Sequence, residues 1–367
     1  MARSDRVVYL HIGAPKTGTT YIQDRLTLNA ARLHEHDVLL PAGPRNIGAD
    51  LFHFRAALDL LGQDWGGRPG HAQGYWDALT RRVRRSRGTA IISHEILAPA
   101  PPDKVAKAMN DLAGSEVHIV YSVRDLARQL PAAWQESIKQ GRRWTFNRFL
   151  DAVEDGSAWF FHAFHVPRVL SSWGRNLPPE RVHVVTVPRS GNREPDLLWH
   201  RFCEAFNIRP EWAPLDSVRA NRSLGIAETQ LIRHLNRRMD RRVRHEAEYD
   251  QLIRDLLAED HLHDHGSPRV LLPPDRFEWA EQQSQLWVDW IEGSGVHLIG
   301  DTSELRPLRP PDEAGWVDPD RMRPREVLDA ALDALEVMTR EAAIAKQAGD
   351  SRFAELVRDN ARRFLIR

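Results

Sequence analysis

Short apolar runs rich in β-branched residues alternate with stretches of helical spacing over the first half of the chain. The runs cover residues 7–12, 38–40, 89–93, 117–123 and 182–187. Strands that alternate with amphipathic helices are typical of right-handed β–α–β units, which form a parallel sheet with helices on both faces. The pattern therefore predicts an α/β fold, and ligands of such a sheet bind beyond the carboxyl ends of its strands.

The chain becomes mainly helical after residue 195. Helical spacing covers residues 196–206, 226–244, 278–292, 326–346 and 352–364, with a strand-like piece at 296–299. A proline-rich stretch over residues 306–312 is typical of a linker. We therefore expect an α/β domain over residues 1–310 and a helical C-terminal tail over residues 311–367. The tail packs either on the main domain or on another subunit, as in a homo-oligomer.

Composition excludes several classes of protein. The chain has 367 residues, of which 42% are hydrophobic and 28% are charged, as in soluble globular proteins, and its formal net charge is +0. This balance does not favour nucleic acid as a partner. Cys203 is the only cysteine, so an intrachain disulfide and a cysteine-based metal site are impossible. No apolar run approaches the ~20 residues of a transmembrane segment, and no signal peptide is evident, so we expect a cytoplasmic protein.

Residues 13–20 carry the main chemical signal and read Gly-Ala-Pro-Lys-Thr-Gly-Thr-Thr directly after the first apolar run. A strand, a glycine-rich loop and a helix form an anion cradle, because the loop N–H groups and the helix N-terminus point at one spot. The motif is close to a Walker A loop, but Thr19 stands where the triphosphate-binding lysine belongs. The lysine of the loop is Lys16 instead, which disfavours an ATP-dependent kinase.

The loop resembles the 5′-phosphosulfate-binding loop of PAPS-dependent sulfotransferases, whose sulfuryl donor is 3′-phosphoadenosine 5′-phosphosulfate (PAPS). The resemblance implies a P-loop-like fold, in which Lys16 bridges the transferring sulfuryl group and the leaving phosphate. A positioned ammonium and a helix N-terminus stabilise the charge that develops on that phosphate, and no metal is required. The resemblance also implies further cofactor-binding residues in the loop, namely Pro15, Thr17, Gly18, Thr19 and Thr20.

A second anion site is expected where residues 117–123 lead into Arg124. In the family that the loop resembles, an arginine at this strand end binds the 3′-phosphate of the donor, usually with a serine two turns later. Here Ala132 occupies the serine position. Gln129 and Ser137 are candidates to complete the contact, and Gln129 is the better placed of the two.

Asp125 follows Arg124 directly and leaves two alternatives open. One is a salt bridge between these two side chains, which is ordinary chemistry at a strand end. The other is a Walker B element, in which the carboxylate of Asp125 holds Mg²⁺ for a nucleotide-dependent kinase. The threonine at position 19 argues against the second alternative.

A candidate general base follows the strand over residues 89–93. His94 lies where cytosolic small-molecule sulfotransferases carry their catalytic histidine, and Glu95 is the alternative base. Imidazole suits the role because its ordinary pKa is near neutral pH, whereas a carboxylate needs a raised pKa. One of the pair can act as the base while the other orients it. A strand-end histidine that caps the next segment is the non-catalytic alternative.

Weaker signals lie in the helical half. The resemblance suggests that a segment with Asn221 and Ser223 closes over the 3′ side of the nucleotide, although Ser223 is equally suited to cap a helix. His261 and His265 share a helical face, but their loop-like, acidic surroundings disfavour a metal site.

Two arginine-rich runs cover residues 81–87 and 237–244. Both are typical of solvated helix ends. An entry funnel for an anionic acceptor or cofactor is the alternative.

Together these signals predict a sulfotransferase that moves a sulfuryl group from PAPS to a hydroxyl or amine of a small-molecule, glycan or lipid acceptor. Lys16, His94 and Glu95 are the expected catalytic residues. The alternatives are a P-loop kinase that uses ATP and Mg²⁺, and a catalytically inactive nucleotide-binding scaffold that docks partners through its C-terminal helices.

Overall fold

A computed structural model of the chain describes residues 6–44, 47–65, 67–189, 194, 196–218, 223–245, 249–262, 266–310 and 315–365. Its centre is one sheet of six parallel strands in the order β2-β3-β1-β4-β5-β6. The strands are β1 (Arg6–His11), β2 (Val38–Leu39), β3 (Gly88–Ser93), β4 (Glu116–Val123), β5 (Val182–Thr186) and β6 (His297–Ile299). The predicted α/β architecture is confirmed, and every apolar run that was assigned to a strand forms one.

Helices cover both faces of this sheet. The α-helices up to residue 238 are α1 (Thr19–Leu28), α2 (Ala30–Glu35), α3 (Ala49–Leu61), α4 (Tyr75–Arg85), α5 (Pro102–Asp111), α6 (Leu126–Lys139), α7 (Phe146–Glu154), α8 (Trp159–Phe164), α9 (Val166–Trp173), α10 (Leu197–Ala205) and α11 (Ile226–Arg238). A π-helix (Asp250–His261), α12 (Phe277–Ser294) and α13 (Pro324–Leu365) follow. Short 3₁₀ helices are Glu95–Leu97, Pro179–Arg181, Pro210–Trp212, Val243–His245, Pro274–Arg276, Thr302–Leu305 and Pro319–Arg321.

Strand β1 lies in the middle of the sheet and is buried on both faces. Val8 and Leu10 join one hydrophobic cluster, whereas Tyr9 joins the cluster on the opposite face. This alternation is the two-residue period of a strand, and burial on both sides explains the nearly continuous apolar sequence. At its carboxyl end, His11 lies opposite Ser93 of β3 and Val120 of β4. The segments that leave β3, β1 and β4 therefore start side by side.

Two helical predictions were wrong in their bounds. The helix expected over residues 226–244 ends at Arg238, where Met239 adopts an extended backbone. The tail was expected as two helices, but α13 is continuous through Gly349. One glycine inside a helix costs only about 1 kcal/mol, which is too little to end it.

Helix α13 packs on α11 through its first half, where Ala330 and Ala334 are buried. None of the helices in the described ranges is both long enough and apolar enough to cross a bilayer.

Candidate functional site

The loop after β1 forms a tight cradle that leads into α1. The backbone of Lys16 and Gly18 is left-handed, with φ angles of 64° and 90°. Gly18 precedes the first helical residue, and a Cβ atom there would lie 2.7 Å from Cδ2 of Leu198. Glycine is therefore required at this position by both its backbone conformation and its packing. The first amides of a helix have no partner within the helix, so α1 presents its N–H groups at the cradle.

Thr17 braces the cradle from inside and is fully buried. Its hydroxyl donates to the carbonyl of Ala14 at 2.6 Å and also contacts the hydroxyl of Ser122 on β4. The amide of Ala14 donates to the carbonyl of Ser122 at 2.9 Å, which fastens the loop to β4. The Thr17 hydroxyl proton is thus already donated, so the predicted contact of Thr17 with a cofactor is left to its backbone N–H. Thr19 and Thr20 begin α1 at the cradle, as expected.

The ammonium of Lys16 lies over α6 and forms an ion pair that the sequence did not suggest. Its Nζ atom is 2.8 Å from Oε2 of Glu136, and Nζ of Lys139 is 3.3 Å from the same oxygen. The Glu136 side chain is only 8% exposed, whereas that of Lys16 is 29% exposed. An anion that binds in the cradle therefore competes with Glu136 for the Lys16 ammonium.

Arg124 extends from the end of β4 towards the same loop. Its Nη1 atom donates to the carbonyl of Lys16 at 3.2 Å, and its Nε atom is buried without a hydrogen-bond partner among the described residues. Burial and, to a smaller extent, the positive charge of Arg128 lower the pKa of Arg124 to about 10, and Asp125 opposes both. The guanidinium is still a cation at neutral pH, and a buried N–H without a partner is costly. This side chain is thus suited to an anionic ligand.

Asp125 does not pair with Arg124, so that alternative is wrong. One carboxylate oxygen of Asp125 accepts from the amide of Arg128 at 3.0 Å and caps α6. The other oxygen pairs with the Arg128 guanidinium, which also donates to the carbonyl of Pro188 at 2.9 Å. Because both oxygens of Asp125 are engaged, the Walker B alternative loses its metal ligand.

The two candidates for completing the arginine site both have other partners. Gln129 is buried, and one N–H of its side-chain amide donates to the carbonyl of Pro15 at 3.0 Å, so it braces the loop and keeps its second N–H and its oxygen. Ser137 donates to the carbonyl of Trp134 at 2.6 Å and accepts from the indole of Trp144 at 2.8 Å. The Ser137 hydroxyl proton is thus already donated, whereas the contact of Gln129 with a 3′-phosphate beside Arg124 stays a prediction.

His94 lies at the end of β3 and caps the 3₁₀ helix Glu95–Leu97. Its Nδ1 atom accepts from the amide of Ile96 at 3.3 Å. The ring stacks on Phe54 with a centroid separation of 5.1 Å. The capping alternative is thus confirmed as one role of this side chain, and Phe54 is a neighbour that no local signal indicated.

Glu95 lies beside His94, with its Oε2 atom 3.8 Å from Nδ1 of the ring. The same oxygen accepts from the amide of Gln23 on α1 at 3.1 Å, and Gln23 also reaches the hydroxyl of Ser93 at 3.2 Å. Burial raises the pKa of Glu95, but the His94 charge, its own backbone N–H and Gln23 outweigh burial and lower the pKa below its usual value. The carboxylate is therefore ionised at neutral pH.

His11 is the last residue of β1 and lies beside Ser93 at the same end of the sheet. It is fully buried, and its Nδ1 atom is 2.7 Å from the hydroxyl of Ser93. Burial lowers the pKa of His11 to about 4, although Glu95 partly opposes this effect. The ring is neutral near pH 7 and packs behind the cradle, as its position in β1 suggested.

Of the weaker candidates, Ser223 and His261 lie within the described residues. Asn221 lies outside the described residues. Ser223 is exposed, and the N-cap of α11 is Gly225, so the prediction that Ser223 caps this helix is wrong. His261 lies exposed on the π-helix and His265 lies outside the described residues. Within the described ranges, no group of three or more histidine, cysteine or carboxylate side chains has the geometry of a metal site.

The chain matches no known protein family, no curated protein and no solved structure. The resemblance described above therefore rests on the motifs within residues 7–24, 89–97 and 117–140. The structure brings the cradle, Arg124 and the His94–Glu95 pair to the carboxyl ends of three adjacent strands, β1, β4 and β3. This edge is where ligands of open parallel sheets bind.

Proposed function

We propose that this protein is a PAPS-dependent sulfotransferase, which transfers a sulfuryl group from PAPS to a hydroxyl or amine. The observation that carries the proposal is the placement of two cations on one cradle. The Lys16 ammonium lies on one side, and Arg124, with its unpartnered Nε, bonds the backbone of the same loop. PAPS has anionic groups on its 5′ and 3′ carbons, so two separate cationic groups suit it. A triphosphate instead needs the lysine that Thr19 replaces.

The reaction follows from these positions. PAPS supplies the sulfuryl group and a phosphate leaving group. The acceptor oxygen or nitrogen forms a bond to sulfur while the bond from sulfur to the 5′-phosphate oxygen breaks, which yields adenosine 3′,5′-bisphosphate. Lys16 and the N-terminus of α1 stabilise the negative charge on the leaving phosphate. To reach it, the Lys16 ammonium exchanges its contact with Glu136 for one with the donor.

We propose Glu95 as the group that takes the acceptor proton, because it is ionised and can accept one, although its lowered pKa makes it a weaker base than an ordinary carboxylate. Because Nδ1 of His94 accepts from the Ile96 amide, hydrogen-bond assignment places the proton of the neutral ring on Nε2. The Glu95 carboxylate is ionised and accepts from Gln23 through one oxygen. In that tautomer of His94, Nδ1 has no proton to donate to Glu95, so we propose that Gln23 orients this carboxylate. The opposite assignment requires the His94 proton to move to Nδ1, which would then donate to Glu95.

Nucleotide preference tests the proposal directly. Calorimetry compares adenosine 3′,5′-bisphosphate with ADP and with ATP–Mg²⁺, for the wild type and for Arg124→Ala. We expect the 3′-phosphorylated ligand to bind most tightly and Arg124→Ala to lose that preference. Tighter binding of ATP–Mg²⁺, with activity lost in EDTA, would support the kinase alternative. Nucleotide binding without sulfuryl transfer to any acceptor would support the scaffold alternative.

We also propose that the protein is cytoplasmic, where PAPS is available.

We further propose that two copies of the chain associate through α13. The face opposite its contact with α11 exposes Leu328, Leu332 and Leu335, at 56%, 56% and 62%. Acidic residues outnumber basic ones over 326–341, and the reverse holds over 346–363. An antiparallel pair of helices therefore matches charge as well as apolar surface. Light scattering should show a dimer that Leu332→Asp dissociates; a wild-type monomer at high concentration would exclude it.

A further inference from the structure

A concentrated positive patch lies at the carboxyl end of α6, on residues that the proposed chemistry does not use. It is formed by the loop after α6 and by the segment from the end of α11. We call the following exposed side chains the arginine patch: Arg142, Arg143, Arg237, Arg238, Arg241 and Arg242. Asp240 is the only acidic residue within 233–245, and the whole chain has a formal net charge of +0. The patch is therefore a local excess of positive charge and not a general property of the surface.

Hydrogen bonds from side chains of one segment to backbone carbonyls of the other hold the two segments together. The side-chain amide of Asn236 donates to the carbonyls of Ile138 and Arg142 at 2.8 and 2.9 Å. Arg233 donates to the carbonyl of Arg143 at 3.2 Å, and Arg244 donates to that of Gly141. These bonds fix the backbone from which the patch side chains extend, so the charges cannot separate freely.

The grouping carries an electrostatic cost. Burial lowers the pKa of Arg244, and the positive charges of Arg143, Arg241 and Arg142 lower it further. Elsewhere on the surface an arginine such as Arg309 pairs with a carboxylate. No ion pair of the arginine patch is found among the described residues. Like charges that are held together, with no ion pair to a described carboxylate, favour the binding of an anion.

The patch adjoins the reaction site on the α6 side. The amide of Arg142 donates to the carbonyl of Ser137 at 2.9 Å. Ser137 follows Glu136, whose carboxylate is 2.8 Å from the Lys16 ammonium. The patch thus begins six residues, at most about 9 Å of helix rise, beyond the residue that binds Lys16. A ligand on the patch can reach the cradle.

We propose that the arginine patch binds anionic groups of the acceptor, and that the acceptor is an acidic oligosaccharide. This inference rests on the proposed function, which requires an acceptor hydroxyl or amine; the anionic groups of the acceptor are what the patch adds. Guanidinium groups match the planar oxygens of carboxylates and the oxygens of sulfates by paired hydrogen bonds. Single-stranded nucleic acid is disfavoured because it needs exposed aromatic rings, whereas Trp144 is partly buried and bonded to Ser137. A membrane is disfavoured because it needs several exposed apolar side chains, and within 237–244 Val243 is the exposed large hydrophobic residue.

The test compares two double variants that remove the same charge. Arg241→Ser/Arg242→Ser changes the patch, and Arg81→Ser/Arg85→Ser removes two exposed arginines of α4 as the matched control. The probe is a chondroitin sulfate hexasaccharide, with neutral maltohexaose as the uncharged comparison, and binding is measured by calorimetry at low and high salt. We expect the patch variant to bind the hexasaccharide about tenfold or more weakly and with a smaller salt dependence. The α4 variant and the affinity for adenosine 3′,5′-bisphosphate should be unchanged.

Each outcome separates the inference from the function on which it rests. Equal binding of maltohexaose, no binding of the acidic probe, or equal losses in both variants would overturn the inference. Tighter, patch-dependent binding of single-stranded DNA or of phosphatidylserine vesicles would also overturn it, in favour of a different partner. Failure of the wild type to bind adenosine 3′,5′-bisphosphate would instead refute the proposed function, whatever the saccharide result.

Discussion

Replacement of Glu136 by glutamine should tighten the binding of an anionic nucleotide. Its carboxylate is 2.8 Å from the Lys16 ammonium, so it competes with the phosphate of a ligand for that cation and also repels the phosphate directly. Two charges at this separation interact by about 1.5 kcal/mol even at the dielectric constant of water, which corresponds to about tenfold in affinity. Lys16 is partly exposed, so this screened value is the appropriate scale.

The assay is calorimetric binding of adenosine 3′,5′-bisphosphate, with a double-mutant cycle to isolate the Lys16 contact. Glu136→Gln should bind about tenfold more tightly, and the gain should be much smaller when Lys16 is also changed to methionine. Glu154→Gln is the control. This carboxylate forms an ion pair with Arg276, in which Oε2 and Nη1 are 2.8 Å apart, and neither residue belongs to the cradle. Unchanged or weaker binding by Glu136→Gln would refute the idea that Glu136 holds Lys16 against the ligand.

Three further predictions concern catalysis and acid stability. Lys16→Ala should lower turnover by about 10²-fold or more; near-normal turnover would contradict its role at the leaving phosphate. Loss of the base should lower turnover by about 10²–10⁴-fold. Because Glu95 is the proposed base, Glu95→Gln should lose more activity than His94→Ala. If both variants keep their activity, neither residue is the base. His11 has a pKa of about 4 in the folded protein, against an ordinary value near 6.5. The unfolded chain therefore binds more protons between these values, and this histidine should contribute a stability loss of about 2 kcal/mol from pH 7 to pH 5. Urea unfolding of wild type and His11→Gln measures it, and equal pH dependence in both would contradict the assignment.

Several features of the site follow from local sequence. The period of apolar residues indicates each strand, and glycine and proline punctuate the loop after β1, because these preferences act over a few residues. The sequence also carries the signal for the capping of α6 by Asp125, since the carboxylate of an aspartate that precedes a helix accepts a hydrogen bond from the amide three residues later. The alternative of a salt bridge between Arg124 and Asp125 paired two neighbours in sequence. In the fold their side chains contact different groups.

Tertiary structure alone decided which side chains of the cradle remain available to a ligand. Glu136 lies 120 residues from Lys16 in sequence, and Ser122 lies 105 residues from Thr17, so no local pattern indicates either contact. These contacts exist because adjacent parallel strands bring their carboxyl ends, and the helices that follow, to one edge. The sequence by itself determined the cradle and the order of strands and helices, which depend on short-range periodicity and backbone preference. The packing of distant elements decided the partners of Lys16, Thr17, Gln129 and Arg124, because a side chain's hydrogen bonds depend on what lies within about 3 Å of it in space.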